Sequence, residues 1–424
     1  MVSPSTIENL RKRAEAGEAG AQYALAAALS KTGARDEADR WLNAAAEQDD
    51  GDALYTLATR LFDDQERIDE AASLLGRAAD NGSTIAQRLL GALYADGVAV
   101  SRDWAKAVSL VATAAQSGDA SAMREVAILL FAEDPDDPDG AALIAEACSR
   151  DAVAAAVAVR RAARQRKNAD TTIAAEAMRN LDKARYPNAA ALRTAFQANR
   201  VNAVVRKERP DWNRVVARLS SELAPPVENS ETICETPYAR VYRQAFTLEE
   251  CEYVIAASAR HLAPSLIVDP QTGQSRKNAY RTSLTAVLGC VDLDLALVMF
   301  NRRMASLAGR PAENGEFLSV LCYGAGQEYR PHFDWLPTAG EEYDRSGQRV
   351  ATALLYLNEE YQGGETHFLT PDIRFKGGAG DVLVFDNVHP DGEPDKACRH
   401  ASLPVSDGVK WIGSKWFREK KYNF

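Results

Sequence analysis

The sequence predicts a multidomain α + β protein: an N-terminal α-solenoid of helix pairs, then a C-terminal double-stranded β-helix (jelly roll) with flanking helices. Two patterns carry this. The first 150 residues are alanine-rich and repetitive, and after residue 226 the chain turns to short strand-like runs separated by glycine turns. Length agrees, since 424 residues exceed one ordinary core. The expected division is 1–150 solenoid, 151–225 basic helical linker region and 226–424 jelly roll.

In the repeats, Ala21, Ala53, Ala86 and Ala122 mark each first helix, and each is followed four residues later by Leu25, Leu57, Leu90 or Val126. The spacings are 32, 33 and 36. Second helices repeat as EAxxWLxxAA (37–46), EAxxLLxxAA (70–79) and KAxxLVxxAA (106–115), with a degraded copy from Ala141. Small residues let paired helices approach closely, and each pair leaves an apolar face that only the next pair covers. The pattern AQYALAAALS followed by EA…AA resembles Sel1-like repeats, a branch of the tetratricopeptide class, which implies a protein- or peptide-binding platform and no catalytic residues.

Residues 151–223 read as helical, broken by Pro187 and Pro210. Between Arg160 and Arg218 lie fifteen Lys or Arg against five Asp or Glu, so that segment is +10 within a chain of −10. It lacks the glycine or aromatic interleaving that stacks bases, which disfavours nucleic acid as a partner. Ala224, Pro225 and Pro226 mark a boundary. No stretch approaches the ~18 consecutive apolar residues of a membrane span, the first twenty residues lack a secretory apolar core, and six scattered cysteines form no CxxC pair. A cytoplasmic protein without membrane contact is expected.

In the C-terminal part, TLEE (247–250) is a capping box opening a helix to about Leu262, and a second helix runs from about Asp292 to Gly309. Strand-like runs follow at 316–323, 350–358, 381–385, 399–405 and 410–417. The run 318–334, LSVLCYGAGQEYRPHFD, places His332 and Asp334 two apart, which on a strand directs both to one face. A third ligand downstream completes the two-histidine, one-carboxylate triad that leaves Fe(II) three open positions for substrate and O₂. The chain has five histidines, and His389 and His400 are the main contenders. After His400 comes VKWIGSKWF, with Lys410, Ile412, Ser414 and Trp416 on one face. A lysine heading an apolar face needs an anion, and 2-oxoglutarate supplies a far carboxylate while its keto acid chelates iron. His400 is therefore favoured, with His389 in a surface loop.

Residues 235–424 resemble the prolyl 4-hydroxylase-like branch of the Fe(II)/2-oxoglutarate dioxygenases. The motifs are a DPxTG turn (269–273), AYRTS (279–283), YGxGQxYxPHFD (323–334), RVATxLxYLN (349–358), YxGGET (361–366), GDxLVF (380–385) and RHAxxPVxxGxKWxxxKWxRE (399–419). The resemblance implies that His332, Asp334 and His400 bind the iron and that Lys410 meets the distal carboxylate. It implies that Tyr356 offers its hydroxyl to the same carboxylate, that Tyr323 lies beside the cosubstrate, and that Thr352 shares the face of Tyr356. Arg281 falls near the substrate groove. Trp335 stands where relatives carry phenylalanine, and with the loops 264–278 and 338–348 it is expected to meet the substrate. The implied activity is hydroxylation of a prolyl residue in a protein or peptide, giving succinate and CO₂, with O₂ as cosubstrate and ascorbate as reductant. The alternatives are hydroxylation of a free amino acid or small metabolite, and a catalytically inactive repeat-based adaptor.

Overall fold

The computed structural model describes residues 4–62, 64–164, 171–183, 192–194, 210–221, 230–268, 275–276, 280–337 and 341–422. The boundary at 224–226, the turn at 269–273, loop positions 338–340 and much of the basic stretch lie outside them. The chain forms two compact units, one of residues 1–126, 211–222 and 290–298, the other of 127–210, 223–289 and 299–424. Both units are built from segments that are not contiguous in the sequence. The helices from 127 to 164 group with the second unit, and nine residues from the C-terminal part, 290–298, group with the first.

In the first unit, helices pair as Ala19–Thr32 with Arg35–Glu47, Gly51–Thr59 with Ile68–Asp80, and Thr84–Asp96 with Trp104–Gln116. The marker alanines are buried, as are Leu25, Leu90 and Val126, and one apolar cluster runs from Ala26 to Leu93 through successive pairs. Close approach is visible at Gly91, where a Cβ would fall 3.0 Å from Val111 Cγ2 and 3.1 Å from the Ala107 carbonyl. A polar contact also repeats. Gln22 and Gln87 each donate an amide N–H to the carbonyl closing the helix before, at Ala14 (3.1 Å) and Ala79 (3.2 Å). The segment 290–298 joins this unit through buried charges: Arg124 reaches Asp294 at 3.1 Å, and Glu125 accepts the Leu295 amide at 3.0 Å.

The second unit is built on strands β1 (Ser230–Glu235), β2 (Tyr238–Tyr242), β3 (Ala263–Pro264), β4 (Ile267–Val268), β5 (Ser275–Arg276), β6 (Leu284–Leu288), β7 (Leu318–Tyr323), β8 (Tyr329–His332), β9 (Arg349–Tyr356), β10 (Tyr361–Gly363), β11 (Thr366–Phe368), β12 (Ile373–Phe375), β13 (Val382–Asp386), β14 (His400–Ser402), β15 (Val405–Gly408) and β16 (Lys410–Arg418). They form an eight-stranded sheet ordered β1-β2-β13-β9-β16-β7-β6-β3 and a four-stranded sheet β12-β11-β14-β8, with two ribbons, β10-β15 and β4-β5. All pairings are antiparallel. The apolar core draws Leu321, Leu354, Phe385 and Ile412 from the large sheet and Phe368 and Phe375 from the small one, so it lies between the two faces of a jelly roll. The expected single strand over 399–405 is two: Pro404 has no N–H to give a ladder, and the chain leaves β14 to pair as β15 with β10.

The predicted capping box is present. Thr247 accepts from the Glu250 amide, Glu250 accepts from the Thr247 amide, and the helix Leu248–Ala259 follows. Glu250 is fully buried and takes Arg303 Nη1 on both oxygens, at 2.9 and 3.0 Å, which joins this helix to the helix Leu295–Ala308.

Candidate active site

A cavity of about 400 Å³, its open mouth included, lies between the sheets. Its walls come from β7 (Leu321, Tyr323), β9 (Leu354), β14 (His400, Ser402) and β16 (Lys410, Ile412, Ser414, Trp416), with Arg281, Tyr329, His332, Asp334 and Thr366. At one side His332, Asp334 and His400 bring one donor atom each to within 4.8 Å of one another. His332 Nε2 stands 3.6 Å from Asp334 Oδ1, and His400 Nε2 stands 3.8 Å from Asp334 Oδ2.

Backbone carbonyls set both imidazoles. His332 Nδ1 lies 2.8 Å from the Arg330 carbonyl and His400 Nδ1 lies 2.9 Å from that of Cys398. A carbonyl only accepts, so each Nδ1 carries a hydrogen and each Nε2 is the nitrogen turned to the cluster. Burial, with His400 close by, drops the His332 pKa to about 3, so this imidazole is neutral at ordinary pH. Burial works against the Asp334 charge, but the two imidazoles and the Thr352 hydroxyl outweigh it and hold the carboxyl below its usual range. Two imidazoles and one carboxylate form a donor set suited to a divalent transition metal.

On the same cavity's wall, Lys410 is 1% exposed. Its ammonium donates to the Gly364 carbonyl at 2.7 Å and to Ser402 Oγ at 2.9 Å. No carboxylate lies within ion-pairing distance of it among the described residues, and burial lowers its pKa to about 7 against the attraction of Glu365. Gly364 permits this cradle: it has φ of +71°, and a Cβ there would sit 3.2 Å from Lys410 Cδ.

Residues 318–418 match the family model of the 2OG-Fe(II) oxygenase superfamily. "Probable prolyl 4-hydroxylase 3" of Arabidopsis thaliana is 34% identical over 214 residues, 46% of this chain and 73% of that protein. This chain belongs to the prolyl 4-hydroxylase family. Among solved structures, a viral collagen prolyl hydroxylase of Paramecium bursaria chlorella virus-1, in complex with 2-oxoglutarate, is 24% identical over 44% of this chain and 98% of that one, with a TM-score of 0.35. A Sel1 repeat protein from Oxalobacter formigenes is 25% identical over 43% of this chain and 78% of that one, with a TM-score of 0.32.

Membership brings Fe(II), 2-oxoglutarate and O₂, and the residues of this prolyl 4-hydroxylase relative fit them. The inward Nε2 atoms and Asp334 suit the metal. The buried Lys410 ammonium has one N–H left over among the described residues, which suits a carboxylate.

Of the expected site residues, His332, Asp334, His400, Lys410, Tyr323 and Arg281 line the cavity. His389 does not: half-exposed, it faces Asp395 at 3.7 Å. Tyr356 does not line it either, since its ring lies along Gly377 and its hydroxyl bonds Thr366 Oγ1 at 2.8 Å, leaving Thr366 as the hydroxyl at the wall. Thr352 is not part of the wall and donates to Asp334 Oδ2 behind it, at 2.8 Å. Trp335 packs on Phe333 and the core, ring centroids 4.7 Å apart, because the chain leaves the ladder after His332. Asp334 too lies beyond the strand that was expected to carry it.

Tyr329 was not anticipated. It stacks on His332, centroids 3.4 Å apart and planes 15° apart, and the Arg281 guanidinium lies 4.9 Å from the centre of its ring. Three residues apart on an ideal strand, Tyr329 and His332 would face opposite ways. The register between His400↔His332 and Ser402↔Tyr329 slips by one residue, and that bulge turns both rings the same way. Ser402 was missed as well, though its spacing of two from His400 within β14 was a usable signal.

Proposed function

We propose that the protein hydroxylates a prolyl residue of a protein or peptide, with His332, Asp334 and His400 holding Fe(II) and Lys410 holding the distal carboxylate of 2-oxoglutarate. The carrying observation is one cavity that brings together three metal-suited donors and a buried ammonium with no carboxylate at ion-pairing distance among the described residues. The prolyl choice rests on the names of its relatives. When bound, Fe(II) with 2-oxoglutarate and O₂ converts C–H to C–OH while 2-oxoglutarate becomes succinate and CO₂.

The chain's own residues supply binding, orientation and dryness. Lys410, steadied by Gly364 and Ser402, points an N–H at the carboxylate, with the Thr366 hydroxyl on the same wall. The Tyr323 hydroxyl, bonded to Ser283 and Ser402, would stand beside the cosubstrate, and Leu321, Leu354 and Ile412 would keep water from its carbon chain. Tyr329, stacked on His332 and near the Arg281 guanidinium, fixes the plane of the imidazole and forms a wall against which the target peptide rests. Ascorbate serves as reductant, and the solenoid presents the polypeptide.

Anaerobic titration with Fe(II) and 2-oxoglutarate tests the ligand set. The charge-transfer absorption band is expected to vanish in His400→Ala and to persist in His389→Ala. Incubation of proline-containing peptides with iron, ascorbate and 2-oxoglutarate, read by mass spectrometry, tests the substrate. A gain of one oxygen on a residue other than proline would redirect the assignment.

A further inference from the structure

Asp334 has two oxygens facing the cluster, and among the described residues only one of them accepts a hydrogen bond from the protein. Thr352 Oγ1 donates to Oδ2 at 2.8 Å. Thr352 in turn accepts from Asn387 Nδ2 at 2.9 Å. A hydroxyl has one proton, and an amide nitrogen only donates, so the Thr352 proton has no alternative use on the Asn387 side and is directed at the carboxylate. Thr352 and Asn387 are both 0% exposed and Asp334 is 6% exposed, so water does not compete for these bonds.

The relay is anchored where the carboxylate is not. Thr352 lies within β9, paired to Phe385 on one side and Trp416 on the other. Asn387 follows β13, donates its amide to the Val350 carbonyl at 2.9 Å and accepts the Asp395 amide at 3.0 Å. Its Oδ1 has no hydrogen-bond partner among the described residues, so the bond to Thr352 is the one that orients the amide. Asp334 sits in irregular backbone past the end of β8.

We infer that Asn387 and Thr352 are positioning residues that occupy Asp334 Oδ2 and leave Oδ1 as the oxygen offered to the metal. This rests on the proposed metal site. A carboxylate free on both oxygens can chelate through both and take one of the three positions that the keto acid and O₂ need. A carboxylate held at Oδ2 binds through one oxygen and leaves all three. The polarity of the relay matters as well: were residue 387 an acceptor, the Thr352 proton would turn away from Asp334.

The test uses full-length protein and Co(II), whose visible absorption reports coordination number without turnover. Thr352→Val keeps the shape and removes the hydroxyl. It is expected to weaken Co(II) binding by about 10- to 100-fold, the usual effect of losing a hydrogen bond to a metal ligand, and to change the Co(II) absorption. Thr352→Ser is expected to restore both. Asn387→Ala, which frees the hydroxyl to rotate, is expected to fall between them, and it carries the test if Thr352→Val fails to fold, as thermal unfolding without metal will show. Unchanged affinity and absorption in Thr352→Val would overturn the inference, as would Thr352→Ser behaving like Thr352→Val, which points to methyl packing. Equal Co(II) binding by the unaltered protein and His400→Ala would instead remove the metal site on which the inference rests.

Discussion

Lys410 carries a positive charge to a place that water hardly reaches, and its chemistry follows from that cost. Burial lowers its pKa from 10.5 to about 7. In the unfolded chain it keeps its proton up to about 10.5, so between pH 7 and 10.5 the unfolded state binds more protons and this group's contribution to stability rises with pH; below 7 the full cost of the buried charge is present. Cosubstrate binding has the opposite sign, because a carboxylate needs the ammonium. Calorimetric titration of the metal-loaded protein should show the Kd for 2-oxoglutarate rising with pH above 7, approaching tenfold per unit. Lys410→Met should raise that Kd by about 10- to 100-fold at pH 6.5 and flatten the pH profile, since a charge-assisted hydrogen bond contributes roughly 1.5–3 kcal/mol. A profile unchanged by the substitution would remove Lys410 from cosubstrate recognition.

Single elements show how local rules and tertiary demands combine. The TLEE capping box acts as a helix start, but its glutamate does more than cap: Glu250 is buried and held by Arg303 from a helix some fifty residues on. Arg303→Met should cost about 3–5 kcal/mol in chemical denaturation, because it strands a buried carboxylate, whereas Thr247→Ala should cost only about 1 kcal/mol for the lost cap. A result in the reverse order would make the pair dispensable. Strand β8 teaches the converse lesson. Alternation along it would separate Tyr329 from His332, and one slipped register against β14 stacks them.

At the scale of the whole molecule, the two compact units cut across the linear order of the chain. Residues 290–298 lie between segments of the oxygenase part, yet they belong to the repeat unit, where Asp294 pairs with Arg124 and the Leu295 amide meets Glu125. A chain shortened by residues 1–126 therefore loses partners for a segment it retains. Scanning calorimetry should show a lower midpoint for the shortened chain's remaining transition than for the corresponding transition of the full chain. Recruitment by the solenoid is better tested with exposed substitutions, such as Ile85→Asp, than by deletion. An unchanged midpoint would mean that 290–298 needs nothing from residues 1–126.

Repeats, jelly roll and metal-suited triad were legible because each rests on short-range regularity: small residues at fixed spacing, strand runs between glycine turns, and an HxD followed by a histidine ten residues before a lysine. Lys410, Ile412, Ser414 and Trp416 sharing a wall follows from strand alternation alone. The orientation of Thr352, Tyr356 and Trp335 was not legible in this way. Whether a hydroxyl or an indole reaches a cavity depends on which partner a distant strand places beside it, here Asp334, Thr366 and Phe333. Periodicity assigns a side chain to a face, and only long-range packing decides what waits there.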